Sequence, residues 1–258
     1  MKTLDKKLKN KLFPKNLILC GYRGSYAQNT YIPNSDPNSI DDIDLMGVYL
    51  APVEYYIGLG NEKIHRKAFE CFIDEWDTVS YEIRKFVNLL LNSNPNVLSL
   101  LWIKNEHYIV KTKFGQMLID LKHSFASKKV YNSFTGYAYN QLKKMTTGKC
   151  EGYMGIKRRL LVGKYGYDTK SASHLIRLLT MGIEFLETGR LNVFRTHDME
   201  KLKDIKTGKW SIEEVKKEAK LLFEHAEDAK QESILPDKPN YAKVEETLKN
   251  ILFSYLCC

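Results

Sequence analysis

The sequence predicts an α+β fold: a small β-sheet with flanking helices over residues 1–122, followed by a mostly helical part over residues 123–258. Three observations predict it. Short apolar runs alternate with polar, proline-containing loops in the first half, the pattern of buried strands. From Phe125 onward, apolar residues recur at three- and four-residue intervals instead, the period of helices. Within the first of these patterns, Gly24-Ser25 places a turn at the end of one strand and Asp42-Ile43-Asp44 places paired carboxylates at the start of the next.

Asn16 to Cys20 reads as a buried strand that delivers Gly21-Tyr22-Arg23-Gly24-Ser25 to its carboxyl end, where sheets hold ligands. Tyr26 to Ile40 is rich in Asn, Ser and Pro and reads as a loop. The next strand runs from Asp42 to Leu50, with Ile43, Leu45 and Val48 inward, and Pro52 stops it. A third strand is expected between Ala68 and Trp76, with Asp77 after it at the start of a helix. Tyr81 to Leu91 carries Ile83, Phe86, Val87, Leu90 and Leu91 on one helical face. Asn94-Pro95 opens another helix, with Asn as cap and Pro at the first position, and Val97, Leu98, Leu100 and Leu101 buried. In the second half, helices are expected over 130–145 and 173–186, the latter stopped by Gly189. Ser211 and Glu214 form a capping box ahead of a charged helix to about Ala229. After Pro236-Asp237-Lys238-Pro239, a last amphipathic helix covers Tyr241 to Leu256.

The chemistry concentrates at the turn and the carboxylates. Residues two apart on a strand share a face, so Asp42 and Asp44 project together with Ile43 behind them. Two hard oxygen donors suit Mg²⁺, which takes carboxylates, waters and substrate phosphates. Gly24 permits close backbone approach to a phosphate, and the Ser25 hydroxyl can donate to its oxygens. Asp77 is the candidate third carboxylate, with Asp74 and Glu75 as rivals that strand register could favour. Each residue also has a plain structural reading. Asp42 and Asp44 could be surface carboxylates, Asp77 a helix cap, and Arg23 a loop-bracing side chain.

These residues, taken in order, resemble the polymerase β type of nucleotidyltransferase superfamily. Asp44-Leu45-Met46-Gly47-Val48, Asp77 to Phe86, Asn94 to Leu98, Lys170 to Leu179 and Glu187-Thr188-Gly189 narrow the resemblance to a bacterial and phage subfamily associated with RNA repair. The similarity extends from about Leu17 to Tyr255. It implies a small mixed β-sheet nucleotidyltransferase domain over 1–122 and a helical C-terminal domain over 123–258 that closes the active-site cleft. It also implies transfer of a nucleoside monophosphate from a nucleoside triphosphate, ATP among them, to an acceptor hydroxyl, with two Mg²⁺ ions or Mn²⁺ in their place. On this resemblance Asp42, Asp44 and Asp77 hold metal, and Arg23, Gly24, Ser25, Lys170, His174 and Arg177 contact the nucleotide. Lys170, Lys85 and His174 keep a structural alternative as ordinary surface or packing residues. An RNA or tRNA end is the expected acceptor; a protein hydroxyl and a catalytically silent RNA-binding module are the alternatives. The sequence departs from the family in two places. Seventeen positions separate Ser25 from Asp42, so Pro37 to Asp41 reads as an insertion after the family-like Pro33-Asn34-Ser35-Asp36. Ser99 also stands near where the family often carries Glu.

Composition sets outer limits. The chain has 258 residues and a formal net charge of +9, which favours polyanionic partners. No run has the length of a membrane span, and the Lys-rich start lacks an apolar signal core. Its five cysteines, Cys20, Cys71, Cys150, Cys257 and Cys258, have no zinc-ligand spacing. The expectation is a reduced, cytoplasmic protein of a bacterial or phage-infected cell. Cations cluster over 143–170, interleaved with Tyr153, Tyr165 and Tyr167 and loosened by five glycines. That pattern fits nucleic acid, whose phosphates pair with cations and whose bases stack on rings; a solvated basic surface is its alternative.

Overall fold

The computed structural model describes residues 5–33, 35–36, 39, 41–58, 65–147 and 156–257. Its centre is a five-stranded mixed sheet in the order β3-β4-β2-β1-β5. The strands are β1 (Leu17–Tyr22), β2 (Ile43–Tyr49), β3 (Phe69–Ile73), β4 (Trp76–Glu82) and β5 (Tyr108–Lys111). β1 runs antiparallel to both β2 and β5, and β3 is antiparallel to β4. The pairing of β2 with β4 is parallel, and its register sets Asp44 beside Asp77.

Twelve helices are described: α1 (Lys6–Leu12), α2 (Gly24–Ala27), α3 (Val53–Tyr56), α4 (Ile83–Leu91), α5 (Pro95–Ser99), α6 (Lys113–Asp120), α7 (Lys129–Thr147), α8 (Ile156–Tyr165), α9 (Thr169–Thr188), α10 (Met199–Lys206), α11 (Ile212–Glu232) and α12 (Tyr241–Leu256). The amphipathic pattern that predicts α4 buries Ile83, Phe86, Val87 and Leu90. Asn94 caps α5 by accepting from the N–H groups of Asn96 and Val97, and Pro95 takes its first position. α9 is the axis of the second half. Its side chains are buried nearly all round, and it packs against α7, α10 and α11. Gly189 ends it in the left-handed conformation at φ 67°, where a Cβ is costly. Ser211 and Glu214 form their capping box at the start of α11. One continuous cluster of buried side chains runs from Leu12 in the sheet half to Ile251 in α12.

The structure revises one stretch of the reading. Residues 68–76 do not form one strand followed by a helix. β3 ends at Ile73, the chain reverses at Asp74 with φ 56°, and β4 runs through Asp77 to Glu82. Thr78-Val79-Ser80-Tyr81 is β-prone, and its two-residue alternation continues the sheet until the helical period begins at Ile83. Glu82, not Asp77, is the helix cap: its carboxylate accepts from the N–H groups of Arg84 and Lys85. β5 was not expected from the sequence; four residues between two helices give little periodic signal. Cys20, Cys71 and Cys257 are unbridged, while Cys150 and Cys258 lie outside the described residues. Among the described residues no helix is long and apolar enough to cross a membrane.

Candidate active site

A cleft of about 270 Å³ lies at the carboxyl end of β1. Arg23, Gly24, Ser25 and Asp44 line it on the sheet side, and Lys170, His174 and Arg177 line it on the helical side. Seven of the nine residues expected at the site therefore share one cavity. The helical three stand at positions i, i+4 and i+7 of α9, which is one face of a helix.

Gly24 fits tightly against Asp44. Its φ is 60°, and a Cβ there would overlap the Asp44 carboxylate, 2.9 Å from Cγ. The backbone fixes the same approach, because the Arg23 N–H donates to the Asp44 carbonyl at 2.9 Å. Glycine at this position is thus what lets the bend close onto the carboxylate.

The other two carboxylates flank the cleft. Asp77 opens outward from β4, and Asp42 stands exposed immediately before β2. The Arg23 guanidinium lies between Asp44 and Asp77, with Nη2 at 3.8 Å from Asp44 Oδ1 and 3.6 Å from Asp77 Oδ2. Asp74 and Glu75 fall in the turn before β4, and Asp36 does not line the cleft. Register therefore favours Asp77 over its rivals as the carboxylate beside Asp44.

Burial pushes the Asp44 carboxyl up to about 6, opposed by Arg23 and Lys170 and reinforced by Asp77 and Asp42. Partial desolvation, with Asp77 and Asp41 adding to it, raises Asp42 as well even though it stands at the surface, while Lys170 and Lys157 oppose. A divalent cation would relieve this repulsion, and carboxylate oxygens are the donors that Mg²⁺ prefers. Arg23 occupies the corresponding place as a stand-in cation, so the donor chemistry fits. The carboxylates as placed do not close into a cluster of three metal ligands among the described residues.

The opposite wall is cationic. Arg177 is buried, and Nη1 donates to Met181 Sδ at 3.2 Å. Burial, reinforced by nearby Arg195, lowers its pKa to about 9. Burial also holds His174 well below its ordinary value, helped by Arg177, Lys170, Lys144 and Arg158, so its imidazole is neutral. His174 Nε2 is buried without a hydrogen-bond partner. A buried guanidinium and an unpartnered ring nitrogen are groups that an anionic, hydrogen-bonding ligand would satisfy.

Sequence reasoning missed two charged residues of the cleft, Asp41 and Lys206. Lys206 of α10 is buried and donates to Asp41 Oδ2 and to the Thr30 carbonyl. Asp41 also accepts from the Ile32 N–H at 2.9 Å. No motif marks this pair, since 165 residues separate its members. The basic segment is also reapportioned. Arg158 pairs with Asp168, the cap of α9, at 2.5 Å. Tyr167 is buried and donates to the Trp210 carbonyl at 2.5 Å, so it packs instead of offering a stacking face. Lys149, Tyr153, Gly148, Gly152 and Gly155 lie outside the described residues.

A mixed sheet with a serine-bearing bend closed on one of two adjacent strand carboxylates defines a nucleotidyltransferase of the polymerase β type. The chain belongs to the RNA repair pathway DNA polymerase beta family, RlaP, which it matches over residues 36–247. A nucleotidyltransferase-like protein from Exiguobacterium sibiricum 255-15 aligns structurally at 11% identity over 93% of this chain and 75% of that one. Its TM-score of 0.28 is too low to bear on the fold. Among curated proteins none matches significantly.

Proposed function

We propose that the chain transfers a nucleoside monophosphate from a nucleoside triphosphate to the terminal hydroxyl of an RNA, a tRNA end included. The observation that carries this reading is the contact of Gly24 with Asp44 inside a cleft whose far wall is Lys170, His174 and Arg177. The triphosphate lies between the walls. Ser25 donates to its terminal phosphates, and Lys170 and Arg177 neutralise the oxygens that face α9. Neutral His174 offers a hydrogen bond without adding charge. The acceptor oxygen bonds the α-phosphorus as the bond to the bridging oxygen breaks. Pyrophosphate leaves with that electron pair, and the hydroxyl proton passes to solvent. Asp42, Asp44 and Asp77 would hold Mg²⁺, which when bound supplies charge neutralisation and acidifies the acceptor hydroxyl. Otherwise the protein contributes positioning and fixed charge. Residues 123–258 form the wall that closes the cleft over the nucleotide.

The test is incubation with labelled nucleoside triphosphates, Mg²⁺, total RNA and lysate protein. Label in RNA, abolished by Asp42→Asn with Asp44→Asn, supports the reading. Label confined to protein shifts the acceptor to a side-chain hydroxyl. RNA binding without transfer under any condition makes the chain a binding module.

A further inference from the structure

We infer that Arg23 gates the metal site. Its guanidinium and a divalent cation compete for Asp44 and Asp77, and the triphosphate frees the carboxylates by drawing the guanidinium to itself. This order of loading rests on the nucleotidyl transfer proposed above, and it makes the triphosphate the key to its own metal.

The competition follows from where the guanidinium stands. β2 and β4 run parallel in a register that pairs Asp44 with Asp77. One Arg23 nitrogen, Nη2, faces both carboxylates, at 3.8 Å from Asp44 Oδ1 and 3.6 Å from Asp77 Oδ2. A divalent cation shared by these two carboxylates needs the space between them, and the guanidinium fills it. Two positive charges about 4 Å apart repel by several times the thermal energy in a half-buried site. Arginine and metal therefore exclude one another from the pair.

Charge, without a hydrogen bond to either carboxylate, holds the guanidinium there, since both distances exceed hydrogen-bond length. Its Nε is buried with no hydrogen-bond partner. An arginine short of acceptors gains by turning to better ones, and phosphate oxygens would supply them within reach. Arg23 lines the same cavity as Ser25, Lys170 and Arg177. A guanidinium meets one phosphate through two parallel N–H donors, a closer match than two carboxylates on separate strands. The turn is confined to the side chain, because the Arg23 N–H donates to the Asp44 carbonyl at 2.9 Å and keeps the backbone in place. Asp77 is 42 % exposed, so the freed pair takes up its ion directly from solvent. Triphosphate and metal thus load together, and each tightens the binding of the other.

The test measures Mn²⁺ binding without nucleotide, from the electron paramagnetic resonance of the free ion, for wild type, Arg23→Gln and Lys220→Gln. Arg23→Gln should bind Mn²⁺ at least about tenfold more tightly than wild type. Lys220→Gln removes the same charge from the exposed face of α11 and should leave the affinity unchanged. Equal affinity in wild type and Arg23→Gln, or no binding by Arg23→Gln, overturns the gate while leaving labelled transfer untouched. Absence of labelled transfer to any acceptor overturns the parent reading, and the loading order with it. A second measurement needs no variant. Phenylglyoxal modifies accessible guanidinium groups, and peptide mass spectrometry reads its addition at Arg23. Saturating Mn²⁺ should raise the modification of Arg23 in wild type several-fold; an unchanged rate overturns the gate.

Discussion

Gly24 sits in a conformation that L side chains rarely adopt, and the carboxylate of Asp44 fills the space beside it. Gly24→Ala should therefore cost stability, by about 1–3 kcal/mol, and displace Asp44. A displacement near 1 Å lowers the rate of transfer by about 100-fold; urea unfolding and single-turnover kinetics read the two effects separately. Asp44 makes a second prediction through its raised pKa. A carboxyl whose folded pKa lies above its unfolded value stabilises the fold at low pH, and that contribution is lost as pH rises through the folded value. For Asp44 the window runs from the ordinary carboxyl range to about 6. In EDTA, Asp44→Asn should thus be more stable than wild type at pH 7, by about 3 kcal/mol at most. The difference should vanish near pH 4, as measured by denaturant midpoints, and the same variant should lose transfer activity.

At the scale of elements, local signals were legible where they were short in range. The caps at Asn94 and Ser211 and the stop at Gly189 each involve neighbours within a turn, and each stands where the residues placed it. Ser211→Ala should cost about 1 kcal/mol and leave kcat/KM unchanged, because α11 starts away from the cleft. Thermal unfolding and steady-state assays check the two halves of that expectation. The stretch from Ala68 to Leu91 was read less well. Its apolar residues fit one strand and one helix, but the reversal at Asp74 makes two strands of it. Pairing with β2 on one side and β3 on the other keeps Trp76 to Glu82 extended, and pairing is not a local property.

Across the whole molecule, Lys206 and Asp41 tie the helical half to the segment that enters β2. Both are buried, so removing one partner strands the other charge. Lys206→Met should destabilise by about 3–5 kcal/mol. Asp41→Asn combined with Lys206→Met should recover part of that loss, because neither charge is then unpaired; a double-mutant cycle in urea measures it. Coincident urea transitions from a probe in each half are expected as well, because one continuous core joins them.

By itself the sequence determined the α+β class, the first two strands and the longer helices in order, and it picked out the Gly24-Ser25 turn, Asp44 and the α9 cations that line the cleft. These were readable because periodicity, caps and motif spacing are carried by residues near one another in the chain. Only the tertiary structure decided which third carboxylate stands beside Asp44, that Arg23 lies between the two, and that Lys206 joins the site. Those facts depend on strand register and on packing between segments up to 165 residues apart. Register and packing follow from how a whole sheet and its helices exclude water together, and no local window of the chain records that choice.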